Sequence, residues 1–230
     1  MIALIPARKG SKGIPKKNIV DLDHKPLITH SVRCALSAKS VTKVFVSTDD
    51  EEIANIAKSS GAIIPFMRPA ELATDLSPAS KTYKHFLEWY NKEFNADLGE
   101  VCILLPTSPL REPSDIDNAV DLYYRSRAES VVSVCEGKPP EWCVGLGRNN
   151  LVQVLPIAKN KNRQETPKPF YPNGSIYILS KNIIKSDNGY YLRGATYGYV
   201  MSKISSLDID DQYDLAMAEA ILHWKNSQKL

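Results

Sequence analysis

Cations and glycines crowd one short stretch of this sequence, MIALIPARKGSKGIPKKNIV. Arg8, Lys9, Lys12, Lys16 and Lys17 fall within it, Lys25 follows, and no acidic residue precedes Asp21. Gly10 and Gly13 lie among the cations. Glycines let backbone N–H groups approach a ligand closely and cations neutralise charge, so a loop of this kind suits a polyphosphate. A solvated basic turn is the alternative reading, since short Gly/Lys patterns also occur by chance. Far along the chain, Ser206-Leu207-Asp208-Ile209-Asp210-Asp211 carries two carboxylates two residues apart. In an extended segment Asp208 and Asp210 project to one side and Ile209 to the other. Such a pair can hold a hard divalent cation such as Mg²⁺, with phosphate oxygens completing the coordination. Capping of a following helix by Asp210 or Asp211 is the competing explanation.

The two features make chemical sense together. One cradles a triphosphate and the other brings Mg²⁺ to it. Phosphoryl and nucleotidyl transfer ask little covalent chemistry of the protein; they need in-line positioning and charge stabilisation. Neither G-x-x-x-x-G-K-[ST] nor G-x-G-x-x-G is present, which disfavours a P-loop ATPase and an NAD enzyme.

These residues need a frame. Ile2 to Ile5 is short and apolar enough for a buried strand, broken at Pro6. The apolar stripe of Leu27, Ile28, Val32, Ala35 and Leu36 predicts a helix over 26–38. Lys43 to Ser47 reads as a second strand, and Thr48-Asp49-Asp50 as the start of a helix that stops at Gly61. Ala62 to Phe66 is expected as a third strand, 78–94 as a helix, and Glu100 to Leu105 as a fourth strand. That strand ends in Pro106-Thr107-Ser108-Pro109-Leu110-Arg111, a stiff turn. Ser114, with Asp117 in the box position, is expected to cap a helix to about Arg127. Ser130 to Cys135 is a fifth strand. Continuous apolar strands alternating with helices predict an α/β fold whose sheet is covered on both faces. Ligands in such sheets bind beyond the carboxyl ends of the strands, where the first loop would sit.

After Cys135 the helical period is lost. A hairpin is expected from Trp142 to Leu146 and Leu151 to Leu155 around Arg148-Asn149-Asn150, within an inserted subdomain or arm. Asn173 to Leu179 returns to strand, Val200 to Ile204 is a further short one, and a helix runs over 212–224.

The 230 residues suit one domain, 43% apolar and 24% charged, with a net charge of +3 that is too mild to argue for nucleic acid. No apolar run approaches the ~20 residues of a membrane span, and no signal-peptide pattern is seen, so the chain reads as cytoplasmic. Cys34, Cys102, Cys135 and Cys143 lack C-x-x-C spacing, and the four histidines form no H-E-x-x-H pair, so neither a zinc site nor a Cys–His nucleophile is expected.

The sequence resembles the N-acylneuraminate (CMP-sialic acid) cytidylyltransferases over nearly its whole length. The resemblance rests on Ile5-Pro6-Ala7-Arg8-x-Gly10-Ser11-Lys12-Gly13-Ile14-Pro15-x-Lys17-Asn18, on Val46-Ser47-Thr48-Asp49-Asp50 and on Arg68-Pro69-x-Glu71-Leu72-Ala73-x-Asp75. Pro106 to Arg111, Pro172 to Tyr177 and Asp208-Ile209-Asp210 extend it in the same order. It implies a Rossmann-like, mostly parallel sheet with flanking helices in a single domain, with 137–171 as an inserted dimerisation arm and the protein a homodimer. It implies a reaction of CTP with a 2-keto-3-deoxy (nonulosonic) sugar acid, giving the CMP-sugar and pyrophosphate with Mg²⁺. By the same resemblance, Ala7, Arg8, Gly10, Ser11, Lys12, Lys17 and Asn18 handle CTP, with Arg68 and Ser77 beside the nucleotide. Lys17 and Arg8 would act on phosphate charge, and Asp208 and Asp210 would bind the metal. Leu105, Thr107, Ser108, Tyr171, Asn173 and Tyr177 would line the sugar side, with Arg163 and Gln164 in the arm.

Several positions depart from the family pattern. Leu105 stands where sialic acid members often carry Gln, Tyr171 where some carry Arg, and Trp142 near an arm Lys. Lys9 replaces a Gly or polar residue. Loss of polar groups around the sugar points to a less polar, deoxygenated or acylated sugar of legionaminic or pseudaminic type. A related nucleotidyltransferase with another sugar or nucleotide, and a non-catalytic sugar-nucleotide-binding protein, remain the alternatives.

Overall fold

The computed structural model describes residues 1–140, 143–146, 148, 152–154, 168–186 and 189–228. In chain order these form β1 (Ile2–Pro6), β2 (Asp21–Leu22), β3 (Lys25–Pro26), α1 (Leu27–Ser37), β4 (Lys43–Ser47), α2 (Glu51–Ser59), α3 (Ala79–Glu93) and β5 (Glu100–Leu104). Then follow α4 (Pro113–Ser126), β6 (Ser130–Glu136), β7 (Val144–Leu146), β8 (Val152–Val154), β9 (Phe170–Ser180), α5 (Lys181–Lys185), β10 (Thr196–Val200) and α6 (Gln212–Ser227).

Six strands make one sheet in the order β10-β6-β9-β5-β1-β4. All neighbours are parallel except β9, which is antiparallel to both β5 and β6. The strands read as continuous apolar runs because helices cover both faces. In β1, Ala3 and Ile5 pack with α1, α2 and α4 on one face, while Ile2 and Leu4 pack with α3 and α5 on the other. A third apolar cluster, with Ile14, Leu22, Leu27, Ile209, Leu215 and Ala218, ties the first loop to α6.

The reversed strand decides what meets at the sheet's rim. β1, β4 and β5 run toward the rim with their carboxyl ends. Because β9 runs the other way, with Leu104 opposite Ile176, its amino end delivers Asn173 and Gly174 beside Leu105. The Met201–Ser206 turn after β10 reaches the same rim.

Three local expectations are corrected. Residues 62–66 form no strand; Ile63 makes only an isolated bridge to Phe45, and Pro65 interrupts any further ladder. The cap of α4 is Glu112, not Ser114, and the box partner is Asp115, because Pro113 with its preset φ takes the first helical position. Asp117 is thereby free to accept from the Ser40 N–H at 2.8 Å and the Ser40 hydroxyl at 2.6 Å. The strand expected at 200–204 lies earlier, at Thr196–Val200, and the serine-rich residues after it form a turn. β7 and β8 pair as the expected hairpin. Trp142, Arg163 and Gln164 lie outside the described residues.

Candidate functional site

The first loop leaves β1 with its geometry fixed from both ends. The Ala7 N–H donates to the Ser47 carbonyl at 2.9 Å, and the Asn18 amide donates to the Arg8 carbonyl at 2.8 Å. Lys16 adopts φ 54°, ψ 35°, a left-handed conformation that turns the chain into the short 3₁₀ turn Lys17–Ile19. That turn aims the Lys17 ammonium across the cleft. It donates to the Ile209 carbonyl at 2.8 Å and pairs with Asp210 Oδ1 at 3.0 Å. The loop and the acidic segment also meet through backbone: a Cβ on Gly13 would lie 2.0 Å from the Asp210 carbonyl oxygen. Gly13 is therefore required by close approach, whereas a Cβ on Gly10 would meet nothing within 4 Å.

Ile209 is fully buried in the third apolar cluster and its N–H donates to the Thr107 carbonyl at 2.8 Å, while of the flanking carboxylates Asp208 is half-buried and Asp210 exposed. Asp211 caps α6 and forms a box with Asp214. That leaves Asp208 and Asp210 unneeded for capping. Asp208 Oδ1 is buried without a hydrogen-bond partner among the described residues. Burial, with the nearby Asp210 adding to it, pushes the Asp208 carboxyl above the ordinary range, against the pull of Thr107 and Lys17. A buried carboxylate oxygen without a partner, beside a second carboxylate, is a donor set that fits a hard divalent cation. Among the described residues no group of three or more His, Cys, Asp or Glu side chains gathers as a metal site. A cation held here would take its remaining ligands from phosphate or water.

A cleft of about 620 Å³ is lined by Arg8, Gly10, Ser11, Lys12, Gly13, Lys17, Asn18, Arg68, Ser77, Leu105, Thr107 and Asp210, among others. Arg8 and Lys12 converge there on Asp75, at 2.7 and 3.4 Å. Burial opposes ionisation of that carboxyl, but Lys12 and Arg8 outweigh it and hold it below the usual range. Arg68 is buried, its Nε donating to the Ser47 hydroxyl at 3.1 Å and its Nη2 to the Ser47 carbonyl. Burial lowers its pKa to about 10. Lys9 and Lys16 point elsewhere, pairing with Asp50 at 3.6 Å and Glu52 at 2.7 Å.

A second cleft of about 550 Å³ shares Leu105 with the first and continues past Asp208 to Tyr171, Asn173, Gly174, Tyr177 and Lys203. Asn173 forms wall rather than hand. Its amide oxygen accepts from the Ser133 hydroxyl at 2.5 Å, and its amide nitrogen donates to Ser206 Oγ at 2.8 Å. Tyr177 packs on Tyr190, with ring centroids 5.4 Å apart, and burial pushes its phenol up to about 12. Tyr171 is half exposed. The Ser108 hydroxyl is buried without a partner among the described residues and lines neither cleft. Buried Arg111 holds the wall from behind, donating to the Ser175 carbonyl at 2.7 Å and to the Ser31 hydroxyl at 3.0 Å.

Nearly all the residues singled out around the nucleotide and the metal thus share one cleft. Sequence reasoning missed Thr82 and Tyr83, which line it from α3, and Lys203. Tyr83 sits in the apolar stripe of its helix, and nothing in the local pattern distinguishes it from core.

Comparison with known proteins identifies the family. The cytidylyltransferase family profile matches residues 2–224. The N-acylneuraminate cytidylyltransferase of Escherichia coli O18:K1:H7 is 36% identical over 232 residues, covering 100% of this chain and 54% of that protein. The chain thus spans about half of that relative's length. The CMP-N,N'-diacetyllegionaminic acid synthase of Legionella pneumophila is 36% identical over 231 residues, 96% of each chain. The solved CMP:2-keto-3-deoxy-manno-octonic acid synthetase complexed with CTP shares the fold, with a TM-score of 0.74 at 16% identity over 97% of this chain and 98% of that one. With its profile matched almost end to end and a relative covered along nearly all its length, the chain belongs to the cytidylyltransferase family.

Proposed function

We propose that the protein transfers CMP from CTP to a nonulosonic 2-keto-3-deoxy sugar acid, releasing pyrophosphate, with Mg²⁺ as cofactor. The observation that carries this reading is Lys17 at 2.8 Å from the Ile209 carbonyl and 3.0 Å from Asp210, which joins the cationic loop to the acidic segment in the first cleft, with Asp208 two residues away on the wall of the second. In this reaction the anomeric hydroxyl of the sugar attacks the α-phosphorus. A new P–O bond forms, the bond to the pyrophosphate oxygen breaks, and the hydroxyl proton is lost. Arg8, Ser11 and Lys12 orient the triphosphate, Lys17 neutralises charge that builds on the α-phosphate, and Asp208 and Asp210 hold Mg²⁺. Bound there, Mg²⁺ supplies further charge neutralisation at phosphate oxygens. The sugar acid occupies the second cleft, whose Leu105 and Tyr171 favour a less polar acid of legionaminic or pseudaminic type. The legionaminic acid synthase similarity supports that choice. The active form is a cytoplasmic homodimer joined through the arm at 137–171. Among the described residues no helix is long and apolar enough to cross a membrane.

Pyrophosphate release measured with CTP, UTP, GTP and ATP against a panel of sugar acids tests the reaction. CTP with a nonulosonic acid is expected to be the productive pair. Turnover of N-acetylneuraminate alone would remove the proposed sugar preference, and turnover with another nucleotide in place of CTP would remove the reaction. Asp210→Asn should abolish turnover while CTP still binds; unchanged turnover would remove the metal role.

A further inference from the structure

We propose that Lys203 grips the carboxylate of the sugar acid and makes the second cleft select acids over neutral sugars. The inference rests on the reaction proposed above. In a 2-keto-3-deoxy acid the carboxylate is bonded directly to the carbon that bears the attacking hydroxyl. Wherever that hydroxyl meets the α-phosphate, the carboxylate is close by. The meeting place is the boundary of the two clefts, marked by Leu105, with Asp208 on the wall beyond it. Mg²⁺ held by Asp208 and Asp210 would answer the phosphate oxygens, so a second carboxylate brought next to Asp208 in a partly desolvated site still gains from a cation of its own.

The cations of the first cleft already have tasks. Arg8 and Lys12 converge on Asp75, in the position suited to phosphate, and Lys17 is bound to Ile209 and Asp210. Among the described residues lining the second cleft, Lys203 is the only cationic one, and no described carboxylate lies within 4 Å of it.

The turn that carries Lys203 is built, not loose. The Ser202 hydroxyl bonds to Ser205 Oγ at 3.0 Å and accepts from the Ser205 N–H at 3.0 Å. The Ser206 hydroxyl donates to the Ser202 carbonyl at 2.6 Å. Asn173 then locks the turn to β9, its amide donating to Ser206 Oγ at 2.8 Å and to Met201 Sδ at 3.3 Å. A lysine on a braced turn presents a compact charge on a stem long enough to follow the substrate.

Steady-state pyrophosphate release tests this, with CTP and either N-acetylneuraminate or N,N'-diacetyllegionaminate, whichever the wild type uses better, and with the C1 amide of that acid. Lys203→Met should raise KM for the acid about 10- to 100-fold, the loss of one hydrogen bond to a charged group, with KM for CTP little changed. Lys203→Arg should recover most of the loss. On the amide, wild type and Lys203→Met should behave alike. Lys9→Met, which removes a cation that lines neither cleft and pairs with Asp50, should leave KM for the acid as it is. Unchanged KM for the acid in Lys203→Met, or an equal loss on acid and amide, overturns the assignment. If the wild type turns over neither acid, nor a pseudaminic-type acid, the reaction reading fails on its own. Calorimetric titration of the acids into wild type and Lys203→Met then decides Lys203, equal or absent binding counting against it.

Discussion

Gly13→Ala places a methyl group in the contact that joins the two halves of the site. The new Cβ would lie 2.0 Å from the Asp210 carbonyl oxygen, where real contacts keep at least 3.0 Å. The loop or the acidic segment must therefore shift by about 1 Å. Asp210 has little room to retreat, since the Ile209 N–H is bonded to the Thr107 carbonyl at 2.8 Å and the Asp210 N–H to Asp214 at 2.9 Å. Gly13 does not sit in the left-handed region, so alanine carries no backbone penalty there and the effect is steric. A misplacement of about 1 Å in a positioning contact costs about 100-fold in rate, so kcat/KM should fall by about that factor. Overpacking should also cost about 1–3 kcal/mol of stability. Steady-state pyrophosphate release with CTP measures the first, and denaturant titration the second. Gly10→Ala is the matched control for stability, because its Cβ meets no protein atom within 4 Å and its φ is likewise outside the left-handed region. It should keep the wild-type stability. A Gly13→Ala enzyme with wild-type kcat/KM would refute the reasoning. So would an equal loss of stability in Gly10→Ala, which would make loop flexibility the cause.

Two more perturbations follow from the same cleft. The raised Asp208 carboxyl binds its proton more tightly folded than unfolded, so native stability falls as pH rises from the unfolded carboxylate value through the raised folded one, and stays lowered at neutral pH. Asp208→Asn should therefore melt at a higher temperature than wild type at pH 7 in EDTA, while losing about 100-fold or more in turnover with Mg²⁺; a lower melting temperature would contradict the burial argument. Asp75 occupies Arg8 and Lys12 through exposed ion pairs. Asp75→Asn should release both cations and lower KM for CTP by about two- to fivefold at low salt, an effect that salt erases. A higher KM would mean that Asp75 positions those cations rather than competing for them.

The layered α/β core was legible because it depends on local patterns. Strands such as Ile2–Pro6 and Lys43–Ser47 carry unbroken apolar runs (Val44 to Val46 in the second), since both faces of the sheet are covered, and α1, α2 and α3 carry clear stripes. The Asp208-Ile209-Asp210 alternation was legible for the same reason: one period-2 step puts Ile209 in the apolar cluster and leaves the acids to line the clefts. Errors came where two local signals competed. Pro113 displaced the cap of α4 by two residues, and Pro65 stopped an apolar run from becoming a strand.

What the chain's own letters determined, then, is composition at each end of the site: a glycine-bearing cationic loop after a strand, and a spaced acidic pair before a helix. Their meeting was decided only by tertiary structure. Lys17 and Asp210 are separated by 193 residues, and no local periodicity couples them. The coupling comes from the third apolar cluster, where Ile14 and Ile209 are buried together and bring their polar neighbours face to face. The direction of β9 was equally invisible. A run such as Ile176 to Leu179 is apolar whichever way it points, and only pairing against both β5 and β6 sets Asn173, Gly174 and the Lys203 turn at the rim around the second cleft.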